Sequence, residues 1–179
     1  MTTVDGQANV LGALALVIAD QTSAAIAAAA GHTGTAAAAL SALDQFLDQP
    51  TIDRLRQVLG LTPSGAVRLV DRLAEAGLVS RGPGTDGRSL ALTLTPAGRR
   101  TARRIGRARA KLLREYLDDL SPAERETLHG LLGRVMAAVV ARKDGGAWTC
   151  RLCDLTACGR RAGECPAANA AAARYASDR

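Results

Sequence analysis

Residues 61–98 read LTPSGAVRLVDRLAEAGLVSRGPGTDGRSLALTLTPAG, and this stretch decides the fold. It opens with a turn and an amphipathic helix that starts near Thr62-Pro63, where a proline at the first helical position loses no hydrogen bond. Gly77 ends that helix, whose predicted buried side consists of Val67, Leu69, Val70 and Leu73. An Arg/Gly-rich loop then separates two short strands, 78–80 and 89–94, and the second alternates leucine with smaller residues at a period of two. The stretch therefore predicts a helix followed by a β-hairpin.

A second helix precedes this one across a tight turn. Thr51 is a typical N-cap for a short helix, Ile52–Leu59, whose Leu55 and Val58 face inward. Gly60 supplies the turn to the next helix. Two helices joined by a tight turn and followed by a basic hairpin predict a winged helix-turn-helix, which indicates duplex DNA as the partner.

Four longer helices flank this region, and an alanine-rich helical tail closes the chain. The predicted helices run over Gln7–Ala30, Thr33–Leu47, Thr95 to about Leu120, and Ser121–Arg142. The predicted fold class is mainly α with a small β-wing: a winged helix-turn-helix domain plus a helical dimerisation region. The predicted division is N-terminal helices in 1–50, the DNA-binding region in 51–98, C-terminal dimerisation helices in 99–145 and a cysteine-cluster tail in 146–179.

The overall composition favours a polyanionic partner. The chain has 179 residues, a formal net charge of +6 and a pI near 9.8, which attracts nucleic acid without specifying a fold. With one Trp, two Tyr and one Phe, it lacks the aromatic side chains on which single-stranded bases stack. Double-stranded DNA is therefore favoured over single strands.

The segment Ala8–Ala30 holds 23 residues with a single charge, long enough to cross a membrane. It is mostly alanine, Asp20 lies near its middle, and no basic segment precedes it. We therefore expect a buried helix in a cytoplasmic protein, with no membrane partner.

Several side chains are candidates for DNA contact. Ser64, Arg68 and Arg72 lie at i, i+4 and i+8 and share one helix face. Thr62 and Ser64 sit at the helix N-terminus, which suits phosphate, and Arg68 can read guanine. The alternative is a solvated polar face on which Asp71 pairs with a neighbouring arginine.

The hairpin tip and the next helix add further candidates. Asp86 and Arg88 stand two apart, so that Arg88 can enter a minor groove while Asp86 holds its guanidinium; the alternative is an ordinary exposed tip. Residues 99–114 contain eight Lys or Arg. Arg99, Arg103 and Arg100 are the candidates near the wing that can add phosphate contacts, and the others are predicted to form a solvated face.

Residues 59–79 and 82–98 resemble the MarR family of bacterial repressors, whose wing carries a D-x-R-S…L-T-x-x-G pattern. Here the pattern is Asp86, Arg88, Ser89, Leu94, Thr95 and Gly98. The resemblance implies a homodimer, held by the first and the last two helices, that binds a palindromic operator through Arg88, Ser89 and the recognition helix. The second helix lacks the bulky residues usual in the family, so the sequence does not support its phenolic-ligand pocket. The cysteine-bearing tail lies beyond the usual family boundary.

The four cysteines of the chain, Cys150, Cys153, Cys158 and Cys165, follow C-x2-C-x4-C-x6-C. Structural disulfides are rare in a reducing cytoplasm, and a four-sulfur site holds zinc or an iron–sulfur cluster. The Cys165-Pro166 ending is typical of bacterial iron–sulfur runs, so an iron–sulfur cluster is favoured over zinc. Free or reversibly oxidised thiols are the third alternative. Such a centre would sense redox or metal state, or serve only as a structural staple.

Enzymatic activity is not expected. The two histidines, His32 and His129, belong to no nucleophile or metal motif, and the sequence has no phosphate-binding glycine loop. The competing function is an electron carrier or scaffold that binds iron–sulfur or zinc without specific DNA binding. That alternative leaves the wing unexplained.

Overall fold

The structure is a computed structural model that describes residues 3–32, 34–84, 90–142 and 148–177. Its elements confirm a mainly helical fold with a small β-wing, whereas the predicted domain division stays a prediction. In chain order they are α1 Val4–Ala30, α2 Gly34–Gln45, α3 Ile52–Leu59, α4 Pro63–Glu75, β1 Val79–Pro83, β2 Leu90–Leu94, α5 Pro96–Glu115, α6 Pro122–Arg142, a 3₁₀ turn Arg160–Ala162 and α7 Pro166–Ser177.

Threonine caps begin both helices of the helix-turn-helix. The Oγ1 atoms of Thr51 and Thr62 accept the backbone N–H groups of Arg54 and Gly65, each at 3.2 Å. These bonds satisfy donors that the first helical turn leaves open. Gly60 ends α3 with a φ of 66°, a left-handed conformation that favours glycine. These local signals explain why the predicted starts of α3 and α4 are correct.

The two strands of the wing pair in antiparallel register from Val79 opposite Leu94 to Pro83 opposite Leu90. Burial does not follow the alternation of the sequence at the start of β2, because Ala91 is buried while Leu90 is 57 % exposed. The reason is that the segment before α3 covers the outer edge of β2. Ala91 bridges to Thr51, and the Leu92 N–H donates to the Pro50 carbonyl at 2.9 Å.

Helix α5 starts in close contact with the turn between α4 and β1. The Thr95 hydroxyl accepts the Gly98 N–H at 3.0 Å and donates to the Gly77 carbonyl at 2.7 Å. A Cβ atom on Gly98 would lie only 1.9 Å from the Leu78 carbonyl oxygen. Helix α5 ends at Glu115, short of the predicted end near Leu120, because tighter i to i−3 hydrogen bonds follow.

The main core lies between α2, the helix-turn-helix, the wing and α5. Four alanines of α2 are buried, and their small side chains permit the close packing of α2 against α5. The largest fully buried side chains complete this core: Leu40, Leu55, Leu69, Leu92, Ile105, Val58 and Val70.

Helix α1 is largely exposed, so the expected burial of Ala8–Ala30 is wrong within one chain. Its buried residues are Thr22, Ile26 and Ala30, all in the last third of the helix. Helix α1 is long and apolar enough to cross a membrane, with a mean hydropathy of 1.7 over an 18-residue window of which 11 % is buried. The burial of a helix depends on what packs against it, and α5 packs against only one side of α1.

Helices α6 and α7 form a second layer. Helix α6 makes its extensive contacts within the described residues with α7 alone. Val140, Cys165 and Ala167 form a small separate core there, with Met136 packed against it. Another face of α6 exposes Leu131, Leu132, Val135 and Val139.

Candidate nucleic-acid interface and cysteine segment

The predicted DNA-reading residues of α4 lie together on its exposed face. Ser64, Arg68 and Arg72 are all exposed, while Leu69 and Leu73 on the other side enter the core. Thr62 is exposed as well, and its hydroxyl caps the helix. The structure therefore presents Ser64, Arg68 and Arg72 on one accessible surface.

Asp71 is paired, but its partner belongs to the wing. The Arg81 guanidinium of β1 contacts the Asp71 carboxylate. The predicted pairing of Asp71 with an arginine is thus formed with Arg81, and Arg68 and Arg72 have no ion-pair partner among the described residues. The pair also links β1 of the wing directly to α4.

Val67 is a candidate that the sequence pattern assigned to the core. The structure shows it 45 % exposed, while Ala66 beside it is fully buried. Val67 is three residues from Ser64 and one from Arg68, so it shares their surface. The spacing from Ser64 was the signal that could have found it, because residues three apart lie on one helix face.

The wing carries the remaining predicted contacts. Asp86, Arg88 and Ser89 lie outside the described residues. The strands that lead to them are joined by the hydroxyls of Ser80 and Thr93 at 2.7 Å. Arg99, at the start of α5, is exposed as predicted.

The cysteine segment, residues 148–165, forms a run of tight turns. The Cys153 N–H donates to the Cys150 carbonyl at 2.9 Å, and the Cys158 N–H donates to the Asp154 carbonyl at 3.1 Å. All four cysteines are free thiols; Cys150 and Cys165 are buried, while Cys153 and Cys158 are half-buried. The turns thus bring thiols that are separated in sequence into one small region.

The first two thiols interact directly. A hydrogen bond from the Cys150 thiol lowers the pKa of Cys153 to about 6 and raises the pKa of Cys150, and burial further raises the latter. Arg109, Arg151 and Arg160 also lower the pKa of Cys153 by their positive charge. The Arg160 Nη1 atom lies 3.9 Å from the Cys150 sulfur. The site therefore favours a negatively charged sulfur.

The other two thiols form a second pair. Burial raises the pKa of Cys158, and its interaction with Cys165 acts in the same direction. Within the described ranges, no three His, Cys, Asp or Glu side chains are already gathered closely enough to hold a metal ion. The four thiols are therefore adjacent as two pairs without forming a ready coordination sphere.

The cysteine segment packs against the main core and against α2. Leu152 packs against the main core, and the Leu155 N–H donates to the Gln45 side-chain oxygen at 3.0 Å. A cavity of about 850 Å³ lies between α1, α2, α5, the end of α3 and this segment, with Trp148, Arg151 and Leu152 in its wall. The small side chains of Ala37 and Ala38 in α2 leave this space open, although the sequence did not support a pocket.

Comparisons with known proteins agree with this geometry. The sequence profile of the MarR family matches residues 30–89, from the end of α1 into the wing. No curated protein matches the chain.

Solved structures extend the match over most of the chain. A probable transcriptional regulator from Pseudomonas aeruginosa is 31 % identical, with a TM-score of 0.54, over 69 % of this chain and 95 % of that one. A MarR family regulator from Silicibacter pomeroyi is 26 % identical, with a TM-score of 0.57, over 76 % and 92 %. A MarR family protein from Bacillus stearothermophilus shares the fold at 22 % identity, with a TM-score of 0.68, over 76 % and 94 %. Profile, relatives and winged helix-turn-helix together show that this chain belongs to the MarR family.

Proposed function

We propose that this MarR-family protein is a cytoplasmic transcriptional repressor that binds a palindromic DNA operator as a homodimer. The observation that carries the proposal is the exposed face of α4, which presents Ser64, Arg68 and Arg72 beside a wing tied to it by Arg81 and Asp71. A helix of this kind fits the major groove. Repression follows when the bound protein occupies a promoter, and this requires no enzymatic chemistry.

The α4 face supplies two kinds of base contact. Arg68 can donate two hydrogen bonds to the major-groove edge of guanine. Val67 can contact the methyl group of thymine. Because Asp71 already pairs with Arg81, the Arg68 guanidinium keeps its donors for the DNA.

Contacts to phosphate would position the protein. Ser64, next to the capped N-terminus of α4, and Arg72 can reach the backbone on either side of the groove. Arg99 adds charge at the start of α5. By resemblance to the family, Arg88 of the wing enters the adjacent minor groove, with Asp86 and Ser89 supporting it.

Replacing Arg68 by alanine is expected to weaken operator binding and relax base preference at one position of each half-site. A bidentate guanine contact contributes about 1–3 kcal/mol, which is roughly 5- to 150-fold in affinity. Fluorescence anisotropy with operator and single-base variants measures both effects. The matched control is Arg125→Ala, an exposed arginine on α6. Equal loss of affinity for every DNA sequence would mean that Arg68 contacts only phosphate.

Dimerisation would cover the apolar surfaces that one chain leaves open. Helix α1 exposes Val10, Leu14 and Val17, and α6 exposes Leu131 and Val135. Apolar surface that is left exposed on a monomer favours association. This pairing also offers a reason for the apolar α1 other than membrane insertion. A two-fold dimer presents two recognition helices, so its operator would be palindromic.

The direct test is a footprint on DNA from upstream of the protein's own gene. We expect two symmetric protected half-sites separated by about one helical turn, together with reduced transcription from that promoter in vitro. A single protected half-site would argue against a palindromic operator, and increased transcription would argue against repression.

The second part of the proposal is that Cys150, Cys153, Cys158 and Cys165 hold one metal centre that tunes DNA binding. Two adjacent thiol pairs and three nearby arginines support it, because the arginines offset the charge of bound thiolates. An iron–sulfur cluster is favoured over zinc because a proline follows Cys165. Either group would supply bonds that order the segment, as in small domains that fold on metal binding.

Replacing Cys153 by serine is expected to abolish stoichiometric metal binding. Protein purified without oxygen should contain either iron with sulfide and visible absorption, or about one zinc per colourless chain. Elemental analysis and absorption spectra distinguish these results, and Thr156→Ala serves as the neighbouring control. If the unsubstituted protein contains neither metal, the centre does not exist and a thiol switch remains.

The competing function is an electron carrier or scaffold without specific DNA binding. The cysteine segment alone favours it, whereas the exposed α4 face and the wing do not. Mobility shifts of metal-loaded and metal-free protein on the upstream DNA distinguish the two functions. Metal-dependent colour without any sequence-specific shift would favour the carrier.

A further inference from the structure

The cysteine segment closes one side of the cavity between α1, α2 and α5. Trp148, Arg151 and Leu152 line this cavity opposite Ile26 of α1 and Leu113 of α5. Arg151 also anchors the turn, because its Nη1 atom donates to the Trp148 carbonyl at 2.7 Å. This wall of the cavity therefore comes from a tail beyond the helices that form the rest of it.

The residues that hold the segment in place alternate with the cysteines. Leu152, which packs against the main core, directly precedes Cys153. Leu155, whose N–H donates to Gln45 of α2, lies between Cys153 and Cys158. Any constraint on the cysteine sulfurs therefore fixes the backbone that carries both docking contacts.

The segment has little other structure of its own. Its regular element is one 3₁₀ turn of three residues, Arg160–Ala162, and its remaining described residues form turns. Turns without a core order weakly unless a metal or a packing surface holds them. The far end of the segment is held by α6, where Cys165 and Cys158 pack with Val140. Between Trp148 and Leu155, the docking contacts and the cysteine centre are the two supports.

Arg109 of α5 links the two regions. It lines this cavity, and together with Cys153 it lines a second, smaller cavity. A change at Cys153 therefore alters the surroundings of a side chain that also lines the larger cavity. Helix α5 continues back to the wing, and α2 packs against α3 and β2.

We infer that metal binding by the cysteine segment keeps this cavity closed, and that metal loss releases the segment and opens the cavity between α1, α2 and α5. The inference rests on the proposed metal centre. Docking and metal binding then stabilise each other, because coupling between two sites is reciprocal. The released state exposes the apolar side chains of α1, α2 and α5 that line the cavity.

Trp148 provides the readout, since it is the only tryptophan and lies in the cavity wall. The experiment compares metal-loaded full-length protein with protein treated with a chelator and a reductant in the absence of oxygen. Metal removal should shift the Trp148 emission to longer wavelength, increase its quenching by acrylamide and allow the anionic dye anilinonaphthalene sulfonate to bind. Unchanged emission, quenching and dye binding after complete metal removal would overturn the inference.

Two variants separate the docking contact from the metal site. Leu152→Ser and the milder Gln45→Ala should increase Trp148 quenching and weaken metal retention against a chelator, while the wing variant Leu90→Ser should do neither. Circular dichroism verifies that each variant is folded. If the Leu152→Ser protein is folded and keeps the Trp148 quenching and the metal retention of the wild type, the inference is wrong, but the proposed metal centre is not contradicted. If wild-type protein purified without oxygen contains no metal, both the inference and the proposed metal centre are wrong.

Discussion

Replacing Gly98 by alanine is expected to destabilise the winged helix-turn-helix and abolish operator binding. The added Cβ would lie 1.9 Å from the Leu78 carbonyl oxygen and 3.1 Å from Cδ2 of Leu94. That carbonyl cannot move away freely, because it also accepts the Thr95 N–H at 3.0 Å. Overpacking against fixed backbone costs about 3 kcal/mol, a large share of a domain's total stability. Urea unfolding and a mobility shift measure the two effects.

Gly106→Ala is the matched control in the same helix. No atom outside its local surroundings lies within 4 Å of a Cβ built at Gly106. Alanine should therefore raise the free energy of unfolding by about 0.5–1 kcal/mol, because glycine is a poor helix former. A Gly98→Ala protein as stable as wild type would show that the start of α5 does not press against the turn before β1.

Local signals predicted the elements whose ends are set by local hydrogen bonds. Helix α3 begins and ends as predicted because the Thr51 cap and Gly60 decide both ends. Helix α6 starts as predicted because the Glu124 carboxylate accepts the N–H of Ser121 at 2.8 Å, a contact within one turn. Neither boundary depends on a distant part of the chain.

Residues whose surroundings come from elsewhere in the chain were not predictable in this way. Val67 has the periodicity of a core residue, yet it is exposed because the body of the domain contacts the other side of α4. Ala91 is buried because residues before α3 cover the edge of β2. The Asp71–Arg81 pair joins two elements whose relative placement a pattern of single residues does not contain.

The same limit applies to the cysteine segment. Its spacing predicted a site of four sulfurs, and the structure adds the two pairs, the arginines around them and the contact with Gln45. The sequence did not predict the cavity, because the alanines of α2 lack the bulky side chains that line the pocket in the family. Small side chains instead leave space, and a wall from the tail bounds it.

Helix α6 is where a second copy would matter most. Leu131, Val135 and Val139 are spaced four residues apart and form one exposed stripe. The opposite side of α6 is occupied by α7 through Val140. An apolar stripe on a helix that already has one partner indicates a further helix opposite it.

Replacing Val135 by aspartate should convert the proposed dimer into monomers and weaken operator binding. Val135 is 43 % exposed in one chain, so a dimer would bury less than half of this side chain in each copy, which contributes about 1–3 kcal/mol over the two copies. Burying an unpaired carboxylate costs several kcal/mol more, so the dimer dissociation constant should rise more than about a hundredfold. Light scattering across a concentration series gives the mass, and anisotropy gives the affinity for one and two half-sites. The single half-site should be bound almost as before, because α4 is untouched, whereas the palindrome should lose its advantage. His129→Asp, on another side of α6, should remain dimeric. A Val135→Asp protein that keeps the dimer mass would place the subunit interface on other surfaces.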